Sequence, residues 1–159
     1  MEPGTLLAVL ARHPFAEELR QAHIEKLAEF AREMCFGRDT VIFREGDECH
    51  EFYLIIKGRV ALEMEAPRHT LRVQTLGAGD EFGWSAMLMG RGKHFQARAL
   101  EPVTALAIDG TELLEACRQD NSLGFALMYR MLGVVSERLQ ATRLQLHDMH
   151  SPVAKLAGN

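Results

Sequence analysis

The sequence predicts a mainly β member of the α+β class, with helices at both ends and a sandwich or barrel of short strands between them. Two observations carry this. In the first and last thirds, apolar residues recur at three- and four-residue steps. In the middle they alternate or run in short blocks, with glycine at the corners. A chain of 159 residues is long enough for one domain with a full core, and residues 1–159 are read as a single unit.

The N-terminal helical segment is placed at residues 1–36. Thr5 to Ala11 reads as a short apolar helix stopped by His13-Pro14. From Gln21 to Met34, Ile24, Leu27, Ala28, Ala31 and Met34 form one helical stripe, with Glu25, Lys26, Glu29 and Arg32 outside it. Gly37 ends it.

The β segment is placed at residues 37–110. Val41 to Phe43 is a strand and Glu45-Gly46-Asp47 a turn. Glu51 to Lys57 is a strand and Gly58 a tight corner. Val60, Leu62 and Met64 then alternate with Ala61, Glu63 and Glu65, and Leu71, Val73 and Thr75 alternate after Pro67-Arg68. His94 to Leu100 and Thr104 to Ile108 are two further strands, and Phe95, Ala97 and Ala99 share the face expected to be core.

Residues 111–150 are read as helical again. Thr111 is expected to cap a helix through Cys117, and Asn121 to open a long helix to about His147. Phe125, Met128, Leu132, Val135, Leu139, Thr142, Leu146 and Met149 step by three and four without a break, an a/d seam expected to pair two copies in a homodimer. A second stripe, Leu123, Leu127, Met131 and Val134, runs beside it and stops before Arg138. The first half of the helix is therefore expected between its own barrel and a partner, and the second half on the partner alone. Arg130, Arg138 and Arg143, with Glu137 and Asp148, read as a solvated face.

Composition bounds the function. Net charge is −4, which argues against nucleic acid or an anionic membrane as the main partner. Cys35, Cys49 and Cys117 are odd in number and scattered, fitting a reducing cytoplasm better than a disulfide framework. Neither a signal peptide nor a transmembrane stretch is evident. No nucleophile–base set points to an enzyme. Ser85 lacks the second glycine of a nucleophile elbow. Metal is not expected, and His147 and His150 read as exposed tail histidines.

The segment 76–87, Leu-Gly-Ala-Gly-Asp-Glu-Phe-Gly-Trp-Ser-Ala-Met, has the layout of an anion cradle. A glycine turn leads to a short strand, a second glycine and one turn of helix whose amides face a phosphate-sized group. Three blocks in order, at 41–47, 52–62 and 76–83, resemble the cyclic nucleotide-binding domain superfamily, the sensor module of catabolite-activator-like regulators. The resemblance covers about residues 20–147 and implies a double-stranded β-helix, or jelly-roll, barrel with a long C-terminal dimerisation helix. Gly83-Trp84-Ser85 and the strand His94 to Ala99 are similar to a smaller bacterial group of stand-alone domains. Nine residues follow His150, too few for a helix-turn-helix, so no direct DNA binding is expected.

The resemblance implies a ligand site made by Phe82, Gly83, Trp84, Ser85, Lys93 and His94, for cyclic AMP, cyclic GMP or another small anion. Trp84 stands where the family places a Glu on the ribose. Lys93 stands at the phosphate arginine and His94 at the neighbouring hydroxyl residue, with Arg91 as an alternative cation. Lysine lacks the bidentate fork of arginine. Loss of a charge-assisted bond worth about 1.5–3 kcal/mol predicts affinity tens to hundreds of fold weaker than the family's usual. Two readings follow: a sensor acting through a protein partner, or an interaction protein whose vestigial pocket is plugged by Trp84.

Overall fold

The computed structural model describes residues 1–87 and 92–157, with the side chains of Ala86 and of residues 149–157 left undescribed. Helix α1 spans Pro3–Arg12 and α2 Gln21–Glu29, joined through a 3-10 turn at Pro14–Ala16. The strands are β1 (Ala31–Phe36), β2 (Val41–Phe43), β3 (Glu51–Lys57), β4 (Val60–Ala66), β5 (His69–Leu76), β6 (Glu81–Phe82), β7 (Gln96–Ala99) and β8 (Val103–Asp109). Helix α3 spans Gly110–Gln119 and α4 Asn121–Ala157. Among the described residues the strands form two antiparallel sheets, ordered β1-β8-β3-β6 and β2-β7-β4-β5. This is the jelly-roll arrangement, with helices at both ends.

The alternation along β3 and β8 divides the core in two. Phe52 and Leu54 of β3, with Leu106 and Ile108 of β8, face a helical layer containing Leu10, Phe15, Leu27, Leu113 and Leu127. Tyr53 and Ile55, with Ala105 and Ala107, face the barrel interior. The interior pairs small residues against aromatics. Ala97, Ala99, Ala105 and Ala107 leave room for Phe43, Tyr53 and Phe82, and Tyr53 stacks on Phe82 at 4.9 Å between ring centroids. Gly58 closes the β3–β4 corner at φ +96°, where a Cβ would lie 2.4 Å from the Pro102 carbonyl oxygen.

Five expectations need correction. Residues 31–36, read as the end of a helix, form β1. It pairs along its length with β8, from Ala31 opposite Ile108 to Phe36 opposite Val103. The helical stripe was genuine through Ala28, but the exposed edge of β8 gains more from a partner strand than the chain gains from two more turns of helix. In β4 the strict alternation of burial fails. Glu63 stays on the outer face opposite Gln96 but is buried there, as is Ala61, and Met64 is exposed; the register shift against β5 falls between Leu62 and Glu63. Helix α3 is capped by Asp109, whose carboxylate accepts from the amides of Thr111 and Glu112. Helix α4 runs to Ala157, ten residues past the expected end.

Arg138 is the fifth correction. It is buried (7% exposed) rather than solvated. It donates to the Gln74 side chain at 2.6 Å and to the Glu81 carbonyl at 2.8 Å. The barrel-facing stripe 123–127–131–134 therefore does not stop before Arg138; that residue is its next member. Leu123, Leu127, Met131 and Val134 are buried as expected. Along the seam Phe125 (75% exposed), Leu132 (66%) and Leu139 (62%) face solvent, Met128 and Leu146 are also exposed, and Val135 is half-buried.

On the outer face of this sheet Glu63 is matched by Arg98 of β7, whose Nε and Nη2 donate to the two carboxylate oxygens at 2.9 and 2.8 Å. These bonds hold the Glu63 carboxyl below its ordinary value. Its stabilising contribution is present above the unfolded carboxylate value and is lost as pH falls through the folded one. Arg98→Ala, which leaves Glu63 with Gln96 as its remaining partner, is expected to cost about 1–3 kcal/mol in urea melts at pH 7. The gap from wild type narrows toward pH 3.

Candidate functional site

Beta strand β6 ends at Phe82, Gly83 turns at φ +81°, and Trp84–Met87 forms a single 3-10 turn. The expected helix start is thus four residues long, too short for an appreciable helix dipole. Met87 packs into the helical core, and Trp84 lies against it. Residues 88–91 lie outside the described residues, and with them Arg91.

The predicted site residues do come together. Phe82, Gly83, Trp84, Ser85, Lys93 and His94 line one cavity, closed on its inner side by Phe43 and Leu62. The cavity holds about 10 Å³, room for one water. The indole of Trp84 and the ring of His94 meet edge-on at 4.9 Å across its mouth. His94 is exposed, Ser85 buried, and Phe82 belongs to the barrel core.

Lys93 is buried (3% exposed) and its ammonium is directed at the backbone. Nζ donates to the carbonyls of Glu51 at 2.6 Å and Gly83 at 2.9 Å, and sits 4.8 Å from the centroid of the Phe43 ring. Gly83 makes this possible. A Cβ there would lie 3.0 Å from Nζ and 3.1 Å from the Glu51 carbonyl oxygen. The missing side chain serves the lysine as well as any ligand. Desolvation pulls the Lys93 amine down to about 8, against smaller opposing effects from Cys49 and Glu51.

The residue the sequence reading missed is Arg138, which lines the same cavity from α4. Its Nε is buried without a hydrogen-bond partner, and burial lowers the guanidinium against the attraction of Glu81, Asp80 and Glu137. Two buried cations, Lys93 and Arg138, thus border one small cavity; among the described residues neither makes an ion pair, and carboxylates act on them only from further off, Glu51 on Lys93 and Glu81, Asp80 and Glu137 on Arg138. The signal was available: position 138 follows Val134 by four in the buried stripe.

These features coincide with one protein family. The model of the cyclic nucleotide-binding domain matches residues 33–120, and the chain belongs to that family. It is 26% identical over 105 residues to the cAMP/cGMP-dependent 3',5'-cAMP/cGMP phosphodiesterase B of Dictyostelium discoideum, a match covering 62% of this chain and 9% of that protein. The chain spans 9% and 28% of the lengths of two curated relatives. A cyclic nucleotide-binding domain from Methylobacillus flagellatus superposes with a TM-score of 0.81 at 17% identity, covering 92% of this chain and 85% of that one. The catabolite activator protein of Thermus thermophilus gives 0.70 at 20% identity, covering 86% and 63%. At these identities the two structures speak to the fold. No helix among the described residues is long and apolar enough to cross a membrane.

The depressed Lys93 amine gives a pH test. Its folded value lies below its unfolded one, so between about pH 8 and 10.5 the unfolded chain binds more protons and stability rises with pH on this account. Comparison of wild type with Lys93→Met by urea melts is expected to show the difference moving in favour of wild type between pH 7.5 and 10.

Proposed function

We propose that the chain is a non-enzymatic regulatory module that works as a homodimer through α4. It reads a small anionic ligand in the cassette, the cavity formed by Phe82, Gly83, Trp84, Ser85, Lys93 and His94, and acts on a protein partner. The observation that carries this reading is the pair of buried cations at the cassette. A buried charge without a counter-ion is costly. An anion placed between Lys93 and Arg138 would relieve both, and one of these cations belongs to the proposed dimer helix. The cavity of about 10 Å³ admits no nucleotide as it stands. Entry therefore requires Trp84 and the 3-10 turn to swing outward, and that motion would reset the contact between α4 and the barrel. A cAMP/cGMP-dependent phosphodiesterase and a kinase regulatory subunit bound to cAMP are among the related proteins, which makes cyclic AMP and cyclic GMP the first candidates.

The second reading, a vestigial pocket in an interaction protein, is favoured by the Trp84–His94 closure and by the engagement of Lys93 with two carbonyls. Calorimetric titration with cyclic AMP, cyclic GMP and a cyclic dinucleotide separates the two. The sensor reading expects binding that Lys93→Ala abolishes, with a stability loss of about 1–3 kcal/mol from the two carbonyls it leaves unpaired. Absence of heat at millimolar ligand, with Trp84→Ala costing about 3 kcal/mol or more as its cavity opens, selects the second.

The dimer has its own test. Phe125, Met128, Leu132, Val135, Leu139 and Leu146 form the proposed interface. Light scattering at micromolar concentration is expected to give twice the chain mass, falling to the monomer in Leu132→Glu/Leu139→Glu. A monomeric mass that the double variant leaves unchanged rules the seam out.

A further inference from the structure

Away from the cassette, three elements meet around an open cleft of about 460 Å³. The turn after α1 contributes Glu17 and Glu18, the β5–β6 corner Asp80 and Glu81, and α4 Arg130 and Glu137. Five carboxylates therefore surround one guanidinium. That guanidinium is already committed: Arg130 Nε donates to the Phe15 carbonyl at 3.1 Å, and its charge lies over the Phe15 ring at 5.4 Å.

Glu81 sets this cleft apart from an ordinary acidic surface. It is buried (7% exposed), lines the cleft, and its carboxylate has no hydrogen-bond or ion-pair partner among the described residues. The charged groups around it are Arg130, Arg138 and Glu137 of α4 and Asp80 of its own corner, with His13 of the N-terminal turn close to Asp80 and Arg130. Arg138 binds the Glu81 carbonyl and not its carboxylate. Burial pushes the Glu81 carboxyl up to about 7.

The walls restrict the occupant. Around the β5–β6 corner the main chain is spent: the Gly79 amide donates to the Ile55 carbonyl, the Asp80 carbonyl accepts from the Ile55 amide, and the Asp80 amide donates to Gly77. The Pro14 carbonyl accepts from the Glu17 amide. Those groups are closed to a peptide backbone. Nor do the carboxylates converge as a metal site would require; among the described residues no group of three acidic, histidine or cysteine side chains is placed to hold a metal ion. What remains is a trough of separated anionic acceptors with a short apolar wall at Pro14 and Ala78. We propose that this cleft binds an aliphatic polyamine, one ammonium on Glu81 and the others on the exposed carboxylates around it.

Titration calorimetry of the whole chain with spermidine, in about 20 mM salt, tests this. Binding is expected at pH 8 and about ten-fold weaker at pH 6, because Glu81 must release its proton to take the cation. Glu81→Gln, a neutral residue of the same shape, should bind about ten-fold more weakly at pH 8 and flatten the pH dependence. Glu137→Gln, on the exposed helix face, should weaken binding and keep the pH dependence. The proposal is overturned by no heat at millimolar spermidine, or by Glu81→Gln retaining the wild-type profile. It is equally overturned if magnesium chloride or a tetra-arginine peptide binds where spermidine does not.

Discussion

The double burial of β3 is the constraint on which the rest of this structure depends. Its alternate side chains serve two cores, Phe52 and Leu54 the helical layer, Tyr53 and Ile55 the barrel. Its backbone serves the loops. The Glu51 carbonyl receives Lys93. The Ile55 carbonyl receives the Gly79 amide and lies 3.2 Å from His13 Nε2. Because His13 Nδ1 accepts from the Phe15 amide, Nε2 carries the proton and donates to Ile55. One strand thus fixes the N-terminal turn, the β5–β6 corner and the cassette lysine relative to each other. A strand with both faces buried cannot slip register without moving apolar side chains into the wrong core.

The cassette in this arrangement is best understood as a sealed site with unbalanced charge. Trp84 and His94 close the mouth, and Lys93 is satisfied by main-chain oxygens and an aromatic face. Arg138 brings a second positive charge to the same wall with one donor unused. Apolar closure opposes ligand entry and charge favours an anion. The balance between them, rather than the presence of the fold, decides whether this family member binds anything.

The jelly-roll class, the strands from Val41 onward and the six cassette residues were legible because glycine corners and period-two blocks are local signals. What escaped was set by distant partners. The helical pattern through Met34 is real in isolation, yet residues 31–36 answer to the edge of β8, some 70 positions away. Glu63 is on the outer face, as the alternation says, but its burial escaped because the covering side chains, Gln96 and Arg98, come from β7 more than 30 positions away. Arg138 was misplaced for a different reason. A charged residue in an apolar stripe reads as the end of the stripe, whereas here its guanidinium finds Gln74 and the Glu81 carbonyl at the barrel rim. Spacing was the better guide than polarity.

Helix α4 continues well past its anchor. Beyond Arg138 a bond from Gln145 to the Arg72 carbonyl ties it to the barrel among the described residues, and Leu139, Leu144 and Leu146 stand exposed. The stretch from there to Ala157 is about 28 Å of helix at 1.5 Å per residue. It is a lever with its fulcrum at the cassette wall. A tilt of roughly 10° at Arg138 carries the far end about 5 Å, so a displacement too small to disturb the barrel core becomes, at the tip, as large as a full turn of helix.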